Sequence, residues 1–207
     1  MSGHTHEIRL TVNGEEVHEN VEARKTLVEF LREDLGLTGS HVGCEHGVCG
    51  ACTLLVDGVI VRGCLMLAVQ CDGCRIDTIE GVADSGTIAD LQQAFAARNA
   101  LQCGFCTPGM LLTAAQLLDE GGVPSREKIR TQLSGNYCRC TGYHAIVDAI
   151  ETVARARAGT PPLKGEGRIA EGDPGWDRDP HPTAEQARGQ ASPFQGELAR
   201  NIVRERS

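Results

Sequence analysis

Three cysteines and three glycines fall within the ten residues from Gly43 to Cys52, and this stretch constrains the chain more than any other. The spacing is Cys44-x4-Cys49-x2-Cys52, with Cys64 following after eleven residues. This is the plant-type spacing for a [2Fe-2S] cluster, in which each of two bridged irons takes two thiolates. Four sulfurs that converge on so small a unit belong on a loop. The glycines allow that loop's backbone to approach the cluster closely.

Two other uses of these cysteines fit the pattern less well. A disulfide framework is typical of small secreted chains, but residues 1–13 are polar and alternating, without the apolar segment of a secretory signal. Structural zinc usually takes paired Cys-x2-Cys knuckles, whereas three candidate ligands sit together here. The spacing therefore favours iron–sulfur over zinc or free thiols.

The composition limits the kinds of partner that the chain can bind and the cellular compartment that suits it. The 207 residues include 28 acidic and 20 basic side chains, for a net charge of −8. This balance, with no basic cluster interleaved with aromatics, argues against nucleic-acid binding. No apolar run is long enough to span a bilayer. Ten cysteines without a secretory signal predict a reducing, cytoplasmic location and metal ligation.

The first eighty residues show strand periodicity with one helix. Turn dipeptides flanked by alternating apolar residues predict hairpins, and a capping-box pattern predicts the helix start. The predicted elements are a hairpin over residues 8–21 turning at Asn13-Gly14, a helix from Thr26 to Gly36, a hairpin over residues 53–62 turning at Asp57-Gly58, and a strand over residues 75–79. A small mixed sheet with one packed helix is the plan of a β-grasp domain.

From Thr87 onwards the apolar residues follow a helical period, which predicts a bundle of four short helices. The predicted starts and stops are Thr87 as the N-cap of the first helix, Thr107 as N-cap and Pro108 as first residue of the second, Gly121-Gly122 as its end, Ser125 as the N-cap of the third, and residues 144–158 as the fourth.

A second set of cysteines lies in this helical part. Cys103 and Cys106 precede the second predicted helix, and Cys138 and Cys140 precede the fourth. Helix N-termini favour anionic thiolates and a negatively charged cluster. A Cys-x2-Cys pair with a Cys-x-Cys pair could bind zinc by count, but Cys-x-Cys is unusual for structural zinc. A second [2Fe-2S] centre is the better interpretation.

Three motifs together resemble the small iron–sulfur subunit of the molybdenum hydroxylases, the xanthine dehydrogenase, carbon monoxide dehydrogenase and aldehyde oxidoreductase family. They are Gly-Cys-Glu-His-Gly-Val-Cys-Gly-Ala-Cys at 43–52, Gln-Cys-Gly-Phe-Cys-Thr-Pro-Gly-Met at 102–110, and Gly-Asn-Tyr-Cys-Arg-Cys-Thr-Gly-Tyr at 135–143. The resemblance covers residues 5–158. Eight cysteines in two distinct patterns make it specific.

The resemblance implies an α+β chain with two cluster domains. A plant-type ferredoxin-like β-grasp domain would span residues 5–81, a four-helix-bundle [2Fe-2S] domain residues 86–158, and an extended Pro/Gly-rich C-terminal arm residues 159–207. Each domain would hold one [2Fe-2S] cluster. The implied ligands are Cys44, Cys49, Cys52 and Cys64 for the first cluster, and Cys103, Cys106, Cys138 and Cys140 for the second.

In this family molybdopterin lies on a large subunit and FAD on a medium subunit. The resemblance therefore implies a heterotrimer in which the chain relays electrons from molybdenum through two clusters towards FAD. It leaves open whether heterotrimers pair into a dimer. The chain itself shows no glycine-rich phosphate loop and no Ser/His/Asp arrangement. The substrate site is therefore expected on a partner subunit.

Gln102 directly precedes Cys103 and resembles the family position whose side chain contacts the pterin. The competing interpretation is a loop glutamine that hydrogen-bonds its own backbone. Two other functions also stay open. A freestanding two-cluster ferredoxin-like carrier would not need the second, molybdopterin-facing domain, and an iron–sulfur redox sensor would need a nucleic-acid-reading or partner-reading surface that the acidic balance disfavours.

Other polar residues and the arm receive simpler interpretations. Cys71 and Cys74 form a Cys-x2-Cys pair outside the eight ligands and are predicted to be surplus thiols. His46 could ligate iron in a Rieske-like site, but four cysteines already suffice. Arg139, between two ligands, is predicted to tune cluster charge or meet a partner. Trp176 and Phe194 in the arm could anchor it to a neighbouring subunit, and a disordered tail is the alternative.

Overall fold

The structure is a computed structural model that describes residues 5–159. This part of the chain combines a mixed β-sheet with helices, so the predicted α+β class is confirmed. The strands are β1 (Thr5–Val12), β2 (Glu15–Glu22), β3 (Thr53–Val56), β4 (Val59–Arg62) and β5 (Arg75–Asp77). The helices are α1 (Leu27–Glu29), α2 (Ile79–Asp84), α3 (Ala89–Ala97), α4 (Thr107–Asp119), α5 (Arg126–Gln132) and α6 (His144–Arg157).

The five strands form one sheet in the order β2-β1-β5-β3-β4. Two antiparallel hairpins, β1–β2 and β3–β4, are joined through β5, which pairs parallel to β1 and antiparallel to β3. In the first hairpin Val12 lies opposite Glu15. Asn13 and Gly14 turn the chain there with φ of 52° and 88°, as the predicted type I′ turn requires. Both predicted hairpins are therefore present.

The first helix begins as predicted but does not continue as an α-helix. Thr26 Oγ1 accepts a hydrogen bond from the Glu29 amide at 3.3 Å, and Glu29 Oε2 accepts one from the Thr26 amide at 2.8 Å, which completes the capping box. After Glu29 the chain widens into a π-helical turn over Phe30–Asp34, closed by the bond from the Leu35 amide to the Phe30 carbonyl. The predicted single α-helix up to Gly36 is therefore wrong in its second half.

A cluster of buried side chains lies between the sheet and this helical segment. Its members are almost all aliphatic, with one aromatic ring from Phe30. They are Ile8, Leu10, Val12, Val21, Leu27, Phe30, Leu31, Leu54, Val56, Ala68, Cys71 and Ile76. Removing this much apolar surface from water is the main favourable term that holds the sheet to the helix.

The predicted strand over residues 75–79 ends at Asp77, and Ile79 begins α2, a helix that the sequence does not predict. The Thr78 amide donates to the Asn13 side-chain oxygen at 2.8 Å rather than to a strand, which takes Thr78 out of the sheet. The helix is short and contains Gly81, so its helical propensity is low.

The four predicted helices correspond to α3, α4, α5 and α6, with two corrections at their starts. Ile88 rather than Thr87 is the N-cap of α3, because the Thr87 hydroxyl is within hydrogen-bond distance of Ser85 Oγ, at 3.0 Å. Cys106 rather than Thr107 is the N-cap of α4, which puts Pro108 at its second residue. Ser125 caps α5 as predicted, with its Oγ accepting from the Lys128 amide at 3.1 Å.

The helices enclose a second buried cluster, and ion pairs tie their ends together. Leu91, Leu112 and Ile150 are among its fully buried members, and Leu55 from β3 packs against it. Arg157 in α6 binds Asp90 in α3 through two hydrogen bonds of 2.8 Å. No helix within residues 5–159 has both the length and the apolarity needed to cross a membrane. The predicted arm over residues 159–207, including Trp176 and Phe194, lies outside the described residues except for Gly159.

Candidate metal centres

The loop between α1 and β3 carries three of the first four predicted ligands. Its backbone adopts positive φ at Glu45, Gly47 and Gly50, which folds the cysteines inwards. Gly43 leaves little room for a side chain, because a Cβ there would lie 3.1 Å from the Cys49 sulfur, which would have to shift slightly. The loop is therefore wrapped tightly around its own thiols, as the glycine-rich spacing predicts.

The first four cysteines meet as two pairs. The Cys49 amide donates to the Cys44 sulfur at 3.4 Å, and the two thiols also interact directly. The Cys52 thiol contacts both the thiol and the backbone amide of Cys64. Since Cys64 lies beyond the end of β4 and Cys52 directly precedes β3, the hairpin β3–β4 is what brings this second pair together.

The local electrostatics differ across the first set. Backbone amides, first that of His46 and then that of Cys49, lower the pKa of the Cys44 thiol to about 6, so the thiolate is favoured there. Burial raises the pKa of Cys52 to about 11. A thiol of this kind is deprotonated when a cation binds to it, so loading this site releases a proton.

The second four cysteines also meet as two pairs, one exposed and one partly buried. The sulfurs of Cys103 and Cys140 are 3.6 Å apart, and both residues are exposed. The Cys106 thiol donates to Cys138. Cys106 is the N-cap of α4, whereas residues 141–143 separate Cys140 from α6. All four predicted ligands are thus brought together across two loops.

Polar groups from neighbouring residues support this second set. The Thr141 hydroxyl donates to the Cys138 sulfur at 3.1 Å, and the Thr141 amide donates to it at 3.4 Å. Tyr143 Oη accepts from the Cys138 amide at 2.8 Å and donates to the Asn136 carbonyl at 3.2 Å. The Gln102 side-chain amide donates to the Cys140 carbonyl at 3.1 Å, so it bonds the opposite loop and not its own backbone.

The pKa shifts in the second set follow from these contacts. Burial, followed by the contact with Cys138, raises the pKa of Cys106 to about 12. Burial would also raise the pKa of Cys138, but the hydrogen bonds from Thr141, from the Cys140 amide and from the Cys106 thiol together outweigh it, and the pKa is lowered. The thiol contact with Cys103 raises the pKa of Cys140. The Cys106–Cys138 pair therefore combines one donor thiol with one sulfur stabilised as a thiolate.

The two cysteine loops touch each other directly. The Tyr137 amide donates to the Cys49 carbonyl at 2.8 Å. The His41 ring stacks on the Phe105 ring, with centroids 4.6 Å apart and planes 14° from parallel. The His41 Nδ1 also lies 2.7 Å from the Phe105 carbonyl oxygen. Both sets of predicted ligands are thus held in one continuous contact region.

The donor chemistry fits two [2Fe-2S] clusters better than two zinc ions. Within residues 5–159, no three His, Cys, Asp or Glu side chains are arranged to hold a single metal ion. Thiols arranged in pairs suit a dinuclear cluster, where each iron takes two. Thr107 Oγ1, beside Cys106, is buried and has no hydrogen-bond partner in the described part of the chain. A bound cluster would supply acceptor sulfurs to such a hydroxyl.

Three supporting residues escape the sequence analysis. Asn136, Tyr143 and Thr141 lie within the third cysteine motif; Tyr143 and Thr141 bond to Cys138 in the same loop, whereas the bonds of Asn136 depend on how the two loops face each other. A short side-chain hydroxyl following the Cys-x-Cys pair is the one signal that could have indicated Thr141. Nothing in the local pattern identifies the partners of Asn136, which are as many as 86 residues away.

The remaining polar candidates lie where simpler roles suffice. The His46 Nδ1 contacts the Cys44 carbonyl oxygen and not a sulfur. Arg139 is exposed between its two cysteine neighbours. Cys71 is fully buried in the sheet core, and burial raises its pKa to about 11. Burial, followed by Asp57, also raises the pKa of Cys74. Such thiols are poor nucleophiles, in keeping with the prediction of surplus cysteines.

Comparison with known proteins places both cysteine sets in recognised domains. A family model described as "2Fe-2S iron-sulfur cluster binding domain" matches residues 10–66, and one described as "[2Fe-2S] binding domain" matches residues 78–151. The caffeine dehydrogenase subunit gamma of Pseudomonas sp. (strain CBB1) is 52% identical over 153 residues, which cover 72% of this chain and 92% of the relative.

Two further relatives agree with these matches. The nicotine 6-hydroxylase small subunit of Paenarthrobacter nicotinovorans is 53% identical over 144 residues, covering 70% of this chain and 87% of the relative. The crystal structure of quinoline 2-oxidoreductase from Pseudomonas putida 86 contains a chain with 48% identity and a TM-score of 0.68, aligned over 76% of this chain and 99% of that one.

Proposed function

The chain belongs to the family of small [2Fe-2S] subunits of the molybdenum hydroxylases, and we propose that it relays electrons from a molybdenum centre on one partner subunit towards FAD on another. When bound, the two [2Fe-2S] clusters supply one-electron redox centres. Residues of this chain would hold the clusters through their thiolates and would donate hydrogen bonds to the ligand sulfurs, as the Thr141 hydroxyl does to Cys138. The observation that carries the proposal is the direct contact between the two cysteine loops, through Tyr137 and Cys49.

The proposed ligands follow the paired thiols. Cys44 with Cys49, and Cys52 with Cys64, would each hold one iron of the first cluster. In the second cluster, one iron would be held by the exposed pair and one by the less exposed pair. These pairs are Cys103 with Cys140, and Cys106 with Cys138.

The exposed pair gives the second cluster an accessible side. Cys103, Cys140 and the neighbouring Gln102 are all exposed, and Phe105 is 48% exposed beside them. We propose that this side faces the molybdopterin-binding subunit, with Gln102 as the pterin contact. Its bond to the Cys140 carbonyl would then join the pterin side to a cluster ligand. The first cluster would pass electrons on towards the FAD subunit.

The domain boundaries and the make-up of the complex are part of the same proposal. The proposed boundaries are a ferredoxin-type domain over residues 5–81, a four-helix-bundle domain over residues 86–158 and an arm from residue 159. Two separate buried groups of side chains support a division in this region, with Ile79, at the start of α2, packed in the helical group and not with the sheet. The complex would be a heterotrimer, with its substrate site outside this chain. A reducing cytoplasm would keep the ligand thiols reduced.

Copurification tests this function against a freestanding carrier. The chain is expressed with the genes next to its own, purified through a tag on this chain alone, and assayed for iron, molybdenum and flavin. Molybdenum and flavin that copurify with the iron support the electron-transfer subunit. A chain with both clusters but no stable partner, molybdenum or flavin would favour the freestanding two-cluster carrier. Since relatives are named for caffeine, nicotine and quinoline, N-heterocycles are the first substrates to screen.

A further inference from the structure

Asn136 is a buried polar residue at the contact between the two cysteine loops. It is 2% exposed and lies two residues before Cys138. Its Nδ2 donates to the Gly50 carbonyl and to Thr53 Oγ1, both at 3.3 Å. Its Oδ1 accepts from Thr113 Oγ1 at 3.1 Å, in competition with the Gly109 carbonyl, which lies 2.8 Å from the same hydroxyl. Turning the amide over would place Oδ1 against the Gly50 carbonyl oxygen. The side chain therefore has one favourable orientation.

The residues on either side of Asn136 also make hydrogen bonds to the sheet or to the first cysteine loop. The Gly135 carbonyl accepts from Arg62 Nη2 at 2.8 Å, and the Tyr137 amide donates to the Cys49 carbonyl at 2.8 Å. Three consecutive residues of the third cysteine motif thus each bond to the sheet or to the first cysteine loop. Asn136 is the member of this row whose side chain makes the bond, so it can be changed without altering the backbone.

The space around the amide is filled. A Cβ at Gly50 would lie 2.7 Å from Asn136 Nδ2 and would also meet the Gly135 carbonyl oxygen. A Cβ at Gly109, in α4, would lie 3.1 Å from the same nitrogen. Buried polar groups that are fully satisfied and closely packed hold their surroundings in a single arrangement. The two loops can therefore approach each other only in the way that Asn136 permits.

We propose that Asn136 is a positioning residue that fixes the separation and orientation of the two clusters, and thereby the electronic coupling between them. This inference rests on the proposed two-cluster function. Electron transfer weakens steeply as the donor and acceptor move apart. The bond from Nδ2 to Gly50, whose neighbour is Cys49, acts directly on the first loop. The covalent path from Asn136 to Cys138 acts on the second.

Three substitutions separate this role from general stability. Asn136→Asp keeps the shape of the side chain and the oxygen that accepts from Thr113. It replaces the amide donor with an oxygen that faces the Gly50 carbonyl oxygen. Thr53→Val removes one of the two acceptors of Nδ2, together with the hydroxyl's own bond to the Gly50 carbonyl and the bond that it accepts from Arg62, both 2.6 Å, so it disturbs the same side of the network more widely. Thr113→Val is the matched control, since it removes a buried hydroxyl from the same network and leaves both Nδ2 bonds in place.

The test uses the full-length chain loaded with both clusters. Iron content and the EPR signal of each cluster are recorded first, followed by the spin–spin splitting of the doubly reduced protein, which depends on the distance and angle between the clusters. We expect the splitting to change clearly in both Asn136→Asp and Thr53→Val, with both clusters retained. Thr113→Val should keep the wild-type splitting.

Full cluster content with an unchanged splitting in Asn136→Asp and Thr53→Val would overturn the inference, as would an equal change in Thr113→Val. If Asn136→Asp does not load both clusters, Thr53→Val alone decides the matter by the same criterion. A wild-type chain without two [2Fe-2S] signals is a different result, because it would overturn the proposed function itself.

Discussion

The Tyr137 amide and the Cys49 carbonyl oxygen are joined by a hydrogen bond of 2.8 Å. Tyr137 directly precedes Cys138, so a single hydrogen bond links a proposed ligand of one cluster to the neighbour of a proposed ligand of the other. This contact explains why the two cysteine motifs belong to one functional unit although 85 residues separate Cys52 from Cys138.

Replacing Cys64 by Ser should remove the first cluster alone. Cys64 pairs with Cys52, so the substitution leaves one iron of the first cluster with a single thiolate. Iron content should therefore fall from about four to about two per chain, with the second cluster's EPR signal retained. Iron analysis with reduced-state EPR measures this. Cys74→Ser is the control, since that thiol lies outside the proposed ligand set, and so is the double replacement with Cys71→Ser. Loss of iron in either control would show that the surplus-thiol interpretation is wrong.

Gly50→Ala should destabilise the chain more than Gly73→Ala. Both glycines have positive φ, 73° and 78°, so both substitutions share a backbone cost of about 1–2 kcal/mol. At Gly50 the new methyl group also meets Asn136, whereas at Gly73 nothing lies within 4 Å. Overpacking should add about 1–3 kcal/mol to the loss at Gly50. Denaturant unfolding of the two variants measures the difference, and equal losses would contradict the close loop contact.

Thr141→Val should lower the reduction potential of the second cluster. The Thr141 hydroxyl donates to the Cys138 sulfur at 3.1 Å, and such hydrogen bonds stabilise the more negative, reduced cluster. We expect a negative shift of tens of millivolts in an EPR-monitored redox titration. Thr141→Ser keeps the hydroxyl and should keep the potential. An unshifted potential in Thr141→Val would mean that this hydroxyl does not bond a ligand sulfur in the loaded protein.

Protonation of Glu151 should lower the stability of the folded chain in acid. Burial alone would raise its pKa, but hydrogen bonds from Arg126 and Arg155 outweigh burial and hold the pKa below the ordinary 4.5. The carboxylate's contribution is therefore complete above the unfolded-state pKa and is lost as pH falls through the lower folded value. Glu151→Gln should cost about 1–3 kcal/mol at pH 7.

The difference between wild type and Glu151→Gln should shrink as pH falls below 4.5. Urea unfolding at a series of pH values from neutral to acid follows this trend. Glu127→Gln, on the exposed surface of α5, should behave like wild type throughout. A difference that stays constant with pH would rule out the ion pairs as its cause.

The sequence predicted most of the strands, turns and helices, because the residues that determine their starts and ends lie within a few positions of each other. Asn13-Gly14 and Asp57-Gly58 both turn with positive φ, and Ser125 caps its helix through a bond to Lys128, three residues on. The cysteine motifs likewise predicted two groups of four; in the structure the thiols of each group lie in pairs, and their role as cluster ligands stays a prediction.

Features that depend on distant partners could not be found in this way. Thr78 leaves the strand because of Asn13, and Cys106 rather than Thr107 caps α4. Gln102 bonds the Cys140 carbonyl across the site and not its own backbone, and its contact with the pterin stays a prediction. The bonds of Asn136 depend on tertiary packing in the same way.

The most direct test of the account is reduced-state EPR of the full-length chain, with iron and zinc measured in the same sample. The account predicts two distinct [2Fe-2S] signals, about four irons per chain and no stoichiometric zinc. One [2Fe-2S] signal with about two irons, or zinc in place of iron at either set of cysteines, would contradict it.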